Sequence, residues 1–286
     1  MENKISIFGV GRLGLCFALN LERKGFDILG VDISEDYVEL LNSKSLNSSE
    51  EGVDDLLSSC TNFKATTDTL SGLKHSNILF ALVATPSLPN GKYDHTQLVR
   101  LVDELKSHGR QEETKELAIG CTVMPGFCDQ LQTELEEYNY NVSYNPEFIA
   151  QGTVIRDQLY PDMVLIGSRN DVSADKIRKV YERLVENKPT YATMAPISAE
   201  ICKIALNCFI TTKIAFTNMV GDLATKVGGE PQSILDAIGA DQRVGSKCTR
   251  YAVALANKGV TVTISERPEV MKELKKLYGG LFNYAV

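Results

Sequence analysis

The sequence lacks the marks of several protein classes. Its seven cysteines (Cys16, Cys60, Cys121, Cys128, Cys202, Cys208 and Cys248) form no C-x-x-C pair, and no histidine stands near them at ligand spacing. That spacing disfavours a structural zinc site or a disulfide framework and fits reduced thiols in the cytoplasm. No stretch approaches the roughly 18 uninterrupted apolar residues of a membrane span. The N-terminus enters an apolar strand at once, so no signal peptide is expected. A formal charge of −7 and the want of any basic stripe argue against a nucleic-acid partner. No internal repeat or low-complexity tract is visible.

What is present is an ordinary globular composition, 43% apolar and 23% charged, over 286 residues. Apolar β-branched runs at Ile5–Val10, Asp27–Val31, Ile78–Val83, Leu117–Val123, Val142–Tyr144 and Val164–Ile166 read as buried strands. Helical patterns lie between them at 12–24, 36–43, 94–107, 126–137 and 172–186, and 44–76 reads as a short helix with loops. Such alternation predicts an α/β fold, a Rossmann-type doubly wound parallel sheet covered on both faces. The pattern changes near Pro196. From there a smaller all-helical domain is expected, dividing the chain into 1–195 and 196–286. Its long central helix spans 198–227, with Ser198 as N-cap and Glu200 favouring the first turn. Further helices are expected at 231–238, 249–258 and 266–277. The length of the central helix suggests burial against a second subunit, hence a homodimer.

Gly9-Val10-Gly11-Arg12-Leu13-Gly14 is a G-x-G-x-x-G that follows one strand, opens a helix, and precedes a second strand ending in Asp32. In that context the glycines serve the tight turn, the approach of a pyrophosphate, and helix–strand packing. The helix N-terminus offers N–H groups and a positive dipole to phosphate. Asp32 is placed to accept from the ribose hydroxyls and to repel a 2′-phosphate, which favours NAD over NADP.

Later segments resemble the UDP-glucose and GDP-mannose dehydrogenase family, in family order, over residues 1 to about 248. They are Val83-Ala84-Thr85-Pro86, Cys121-Thr122-Val123-Met124-Pro125-Gly126, and Asn145-Pro146-Glu147-Phe148 with Gly152-Thr153 and Tyr160-Pro161-Asp162. Ser198-Ala199-Glu200…Lys203…Asn207…Lys213 and Gly239-Ala240-Asp241-Gln242-Arg243-Val244-Gly245 complete the set. The resemblance implies a nucleotide-sugar substrate, oxidation of its C6 alcohol towards the uronate with NAD, and a place in polysaccharide biosynthesis. Thr85, Pro86 and Thr122 would face the cofactor. Thr122 would also hold the reactive water or hydroxyl, and Glu147 would do acid–base work in the thioester stage. Lys203 and Asn207 would steady oxyanions, with Phe148 and Arg243 against substrate, Arg243 across a dimer interface.

The family's nucleophilic cysteine lies in a glycine-rich loop after the arginine signature. Here Gly245-Ser246-Lys247-Cys248 runs directly into Thr249-Arg250-Tyr251-Ala252, so that loop and its cysteine are expected to be missing. Cys248 reads as a packed thiol. The family's C-terminal nucleotide-clamping domain is likewise not represented before Val286. Two other readings stay open: a β-hydroxyacid-type dehydrogenase using Lys203 and Asn207, and a non-catalytic NAD-binding dimer.

Overall fold

The structure is a computed structural model and describes residues 3–149, 152–241, 244, 263–265 and 283–285. The elements run β1 (Lys4–Phe8), α1 (Arg12–Arg23), β2 (Asp27–Val31), α2 (Glu35–Asn42), α3 (Val53–Ser59), β3 (Phe63–Thr66), α4 (Thr69–His75) and β4 (Ile78–Ala81). Next come α5 (Thr96–Ser107), β5 (Lys115–Ile119), α6 (Phe127–Leu135), β6 (Tyr140–Tyr144), α7 (Val154–Leu159), β7 (Met163–Gly167), α8 (Asp171–Leu184) and β8 (Thr190–Met194). Then follow α9 (Pro196–Val227), α10 (Pro231–Ala240), β9 (Thr263–Ser265) and β10 (Asn283–Ala285). By compactness the chain divides into Met1–Lys203 and Ile204–Val286, so the first two turns of α9 belong with the sheet.

Eight strands form one sheet in the order β3-β2-β1-β4-β5-β6-β7-β8. All neighbours are parallel except β6 and β7, which meet antiparallel through the single pair Tyr144↔Gly167. The sheet is therefore mostly parallel, one pairing short of the expected parallel sheet. Strand order reverses between β1 and β4, and a crevice opens beyond the carboxyl ends of strands at such a point.

Two apolar layers explain the continuous hydrophobic runs. Ile5, Ile7 and Phe80 join α1 and α8 residues such as Phe17, Ile177 and Leu184 on one face. Phe8, Leu79 and Leu117 join Leu98, Leu105 and Leu131 of α5 and α6 on the other. Alternate residues of one strand thus serve opposite layers, which leaves little room for polar positions.

Several boundaries and elements depart from the sequence reading. β1 ends at Phe8 rather than Val10 because Gly9 turns with φ +88°, and the strands expected at Ile78–Val83 and Leu117–Val123 stop at Ala81 and Ile119. β3, with four residues, and β8, whose side chains are exposed or half-buried, lack an apolar run and were not expected. Within 44–76 two short helices, α3 and α4, stand where one was expected, and short α7 is new. α9 begins at Pro196, not after Ser198: the first turn tolerates proline's missing N–H, and the Ala195 carbonyl accepts from Ser198 and Ala199. In the second unit α10 runs to Ala240, and β9 and β10 form a parallel pair outside the helical pattern. The helices expected at 249–258 and 266–277 lie outside the described residues.

Candidate active site

Built from the strand ends, the site begins at the glycine turn. Gly9 takes a left-handed conformation, and a Cβ there would come within 2.8 Å of the Leu82 carbonyl oxygen. A Cβ on Gly14 would come within 2.0 Å of the Gly9 carbonyl oxygen, so α1 can start this close only with glycine at both places. Gly11, the N-cap of α1, is extended and offers no side-chain cap, while the space a Cβ would occupy there is open. N–H groups with no side-chain cap, beside a backbone with room around it, suit a pyrophosphate. Asp32 follows β2, and its carboxylate accepts from Val10 N and Ser34 N, both at 3.2 Å. These bonds hold an acid beside the turn with acceptor capacity left for ribose hydroxyls. The residues therefore fit NAD.

A cleft of about 260 Å³ continues from there along the carboxyl edge of the sheet. Leu13 of α1, Thr85 after β4, Cys121 and Thr122 after β5, Glu147 after β6 and Lys203 of α9 line it. Residues far apart in sequence thus line one cleft. Phe148 stands beside them, its ring 4.4 Å from the Lys203 ammonium. Pro86 is exposed on the turn after Thr85 and its carbonyl accepts from Asp94 N at 2.8 Å. Asn207, one helical turn beyond Lys203 in sequence, falls in the second unit and is half-buried. Arg243 and Cys248 lie outside the described residues.

Lys203 is buried, and its Nζ donates to the Glu147 carbonyl oxygen at 2.5 Å. Burial lowers its pKa from the ordinary lysine value, opposed by the charge of Glu147. Glu147 is pushed up to about 7 by burial, against the lowering effects of a hydrogen bond from Tyr181 and the charge of Lys203. A carboxyl group near neutrality can take and return a proton at working pH. Cys121, which stands where the family has serine, is buried and its thiol is pushed up to about 12 by desolvation. A protonated, enclosed thiol is a poor nucleophile.

Two partners are invisible in the sequence. Tyr181 of α8 donates from its hydroxyl to Glu147 Oε1 at 2.9 Å. By spacing it reads only as another core position of α8, and its phenol finds its acid 34 residues upstream in the chain. Glu200 does not serve the first turn of its own helix. Its fully buried carboxylate accepts from the backbone N–H groups of Gly126 and of Cys128, the latter at 2.8 Å, at the N-terminus of α6. A buried acid is compensated there by N–H groups and the helix dipole. Among the described residues no cluster of histidine, cysteine and acidic side chains could hold a metal ion, and the six described cysteines are all free.

In comparison with known proteins, residues 3–185 match the NAD binding domain of the UDP-glucose/GDP-mannose dehydrogenase family and residues 197–262 its central domain. The chain is 30% identical to the UDP-glucose 6-dehydrogenase of Rickettsia felis over 246 residues, 84% of this chain and 54% of that protein. It thus spans about half the length of that curated relative. The crystal structure of GDP-mannose dehydrogenase from Pseudomonas aeruginosa superposes with a TM-score of 0.80 at 26% identity, covering 98% of this chain and 65% of that one. A 3-hydroxyisobutyrate dehydrogenase of Mycobacterium tuberculosis superposes at 0.63 and 13% identity, covering 85% of this chain and 72% of that one, which is a likeness of fold alone. With a glycine turn and acid fit for NAD and both family domains matched in order, the chain belongs to the UDP-glucose/GDP-mannose dehydrogenase family and its cofactor is NAD.

Proposed function

We propose that the protein binds a nucleotide sugar beside NAD in the cleft between Thr122, Glu147 and Lys203, and oxidises the sugar's C6 alcohol. Residues 1–195 form the NAD-binding domain in this reading, and 196–286 the central, dimerising one. The observation that carries it is the pairing of Glu147 with Lys203 at the carboxyl edge of β6, next to the cofactor turn.

Oxidation of the alcohol releases one hydride from C6 and one proton from O6. NAD, when bound, accepts the hydride. Glu147, with its raised pKa, is the acceptor for the proton. Lys203 spends one donor on the Glu147 carbonyl and keeps two for the substrate oxygen, where its charge steadies the developing alkoxide. Thr122 offers a hydroxyl at the same wall for the substrate oxygen or a water. The family resemblance assigns further substrate contacts to Phe148, Asn207 and Arg243. This accounts for the two-electron stage. Passage to the uronate requires a second hydride transfer from a hydrated or thiol-bound carbonyl, for which the buried Cys121 is unsuited.

α9 is long and apolar enough, by length and composition, to cross a membrane, with a mean hydropathy of 1.2 in its most apolar window, yet only 6% of that window is buried. Phe209, Phe216, Met219, Leu223 and Val227 stand exposed along it. Apolar surface on this scale marks an interface, and we assign it to a second copy of the chain. Free cysteines are consistent with work in the cytoplasm.

The test is NADH formation with UDP-glucose and GDP-mannose, with a 3-hydroxy acid as control. NADH from a nucleotide sugar, lost in Lys203→Ala, supports the reading. Turnover of the hydroxy acid alone overturns it in favour of a β-hydroxyacid dehydrogenase. NAD binding with no turnover of any substrate overturns it in favour of a non-catalytic dimer.

A further inference from the structure

The turn that carries Thr122 joins β5 to α6 and runs from Gly120 to Gly126. Val123 in its middle is fully buried. That burial sets the depth of the turn but not its direction, because apolar contact is non-directional. Direction comes from hydrogen bonds beyond Thr122. At the α6 end the Glu200 carboxylate takes the N–H groups of Gly126 and Cys128. Nearer Thr122, the Met124 N–H donates to Nε2 of His95 at 3.3 Å. His95 is the N-cap residue of α5, and its ring packs on Phe127 of α6 with centroids 4.0 Å apart. The Phe127 N–H in turn donates to the Met124 carbonyl at 3.1 Å. One imidazole thus meets this turn at two linked points.

A backbone N–H only donates, so the ring nitrogen facing Met124 carries no proton and the ring's single proton stands on Nδ1. The bond exists only while His95 is neutral. A second proton sets one N–H against another across the same 3.3 Å, which turns an attraction into a repulsion. The charged groups around the ring are Asp94 and Lys92 of its own loop and Glu200 of α9, while Phe127 and Gln130 of α6 carry no charge. Burial lowers the pKa of His95 from the ordinary histidine value, opposed by the charges of Asp94 and Glu200. Neutral imidazole is therefore the form at pH 7, and the cleft that His95 shares with Lys92 and Tyr93 gives protons access to it. Once charged, the ring also attracts Glu200, the acceptor on which Gly126 and Cys128 depend. Acid thus acts on both anchors of the turn.

We propose that His95 is a positioning residue for Thr122: as a neutral acceptor it sets, with Glu200, the turn that presents Thr122 to the reacting oxygen, and as a cation it releases that turn. The proposal rests on the reading of the cleft as the place where a nucleotide sugar gives its hydride to NAD.

The experiment has two readouts on the wild type, His95→Gln and His95→Phe. The first is kcat between pH 8 and pH 5 with NAD and UDP-glucose or GDP-mannose. The second is the amide signal of Met124, one of six methionines, in protein carrying isotope-labelled methionine, against the titration of the His95 ring. Gln offers Met124 an acceptor that does not titrate, and Phe keeps the ring on Phe127 without any acceptor. Protons on Glu147 and on His95 each abolish activity in the wild type, so log kcat falls towards acid with a slope approaching about two. His95→Gln falls with a slope of about one, from a plateau at pH 8 within roughly threefold of the wild type. His95→Phe loses about tenfold or more in kcat across the range, as a misplaced contact does, while binding NAD within about threefold of the wild type. The Met124 signal moves with the His95 midpoint in the wild type and stays still in His95→Gln. A slope of two that survives in His95→Gln overturns the proposal, as does a Met124 signal that ignores the ring. So does a His95→Phe that matches the wild type at pH 8. A wild type without turnover is a separate failure, that of the proposed function, and the Met124 signal then still decides whether His95 holds the turn.

Discussion

The hydroxyl of Tyr181 in α8 donates to Oε1 of Glu147 at 2.9 Å, while Lys203 of α9 holds the same residue by its backbone carbonyl. Burial drives Glu147 towards the neutral form, while this phenol and the Lys203 ammonium favour the charged one. The acid is held between opposing influences, with Tyr181 the more local of the two stabilising partners.

Tyr181→Phe removes one of those two partners. The pKa of Glu147 then rises above about 7, by roughly one further unit on the scale of a lost hydrogen bond to a carboxylate. The rising limb of the pH–rate profile moves to higher pH by the same amount. An unmoved profile, with only a lower plateau, would mean that Tyr181 matters for packing alone.

Glu147 also makes stability depend on pH. Its folded pKa of about 7 lies above its ordinary value of 4.5, so between these values the folded state holds the proton more tightly than the unfolded chain. That contribution is complete below about 4.5 and is lost as pH rises towards 7. At about 1.4 kcal/mol per unit, the loss is on the order of a few kcal/mol at most. Glu147→Gln therefore unfolds at higher temperature than the wild type at pH 8, with the gap narrowing at pH 5. Equal melting temperatures at both values would contradict the raised pKa.

Glu200 offers a test of architecture. Glu200→Ala leaves the N–H groups of Gly126 and Cys128 without their buried acceptor. A loss of roughly 2–4 kcal/mol is expected in denaturant unfolding. Glu200→Gln, which retains one acceptor oxygen, falls between the two. A near-neutral Glu200→Ala would show that water reaches the α6 N-terminus and replaces the carboxylate.

At the adenosine end, Asp32→Ala removes the acid held beside the glycine turn. NAD affinity falls about tenfold while NADP is affected less, since the repulsion of its 2′-phosphate is relieved. Parallel calorimetric titrations with both dinucleotides check this. Equal weakening of the two would remove Asp32 from the ribose site.

How far the sequence reaches depends on the range of each interaction. Gly9, Gly11, Gly14 and Asp32 are legible because strand, turn and helix are contiguous and each glycine answers a local steric demand. The apolar strands are legible because both faces of the sheet are covered. β8 is not, because the edge strand Thr190–Met194 carries exposed and half-buried side chains. The site is half legible. The family segments name Thr122, Glu147 and Lys203, and the fold brings them to one cleft. His95, Tyr181 and Glu200 act on residues 29 to 74 positions away, and no local period announces such partners.

The most direct test of the central claim is calorimetric titration of the NAD-saturated protein with UDP-glucose and with GDP-mannose, for the wild type and Lys203→Ala. The account predicts that at least one nucleotide sugar binds the wild-type NAD complex and binds Lys203→Ala at least about tenfold more weakly, the size of one lost charged contact. Saturating NAD binding with no heat from either nucleotide sugar would contradict it.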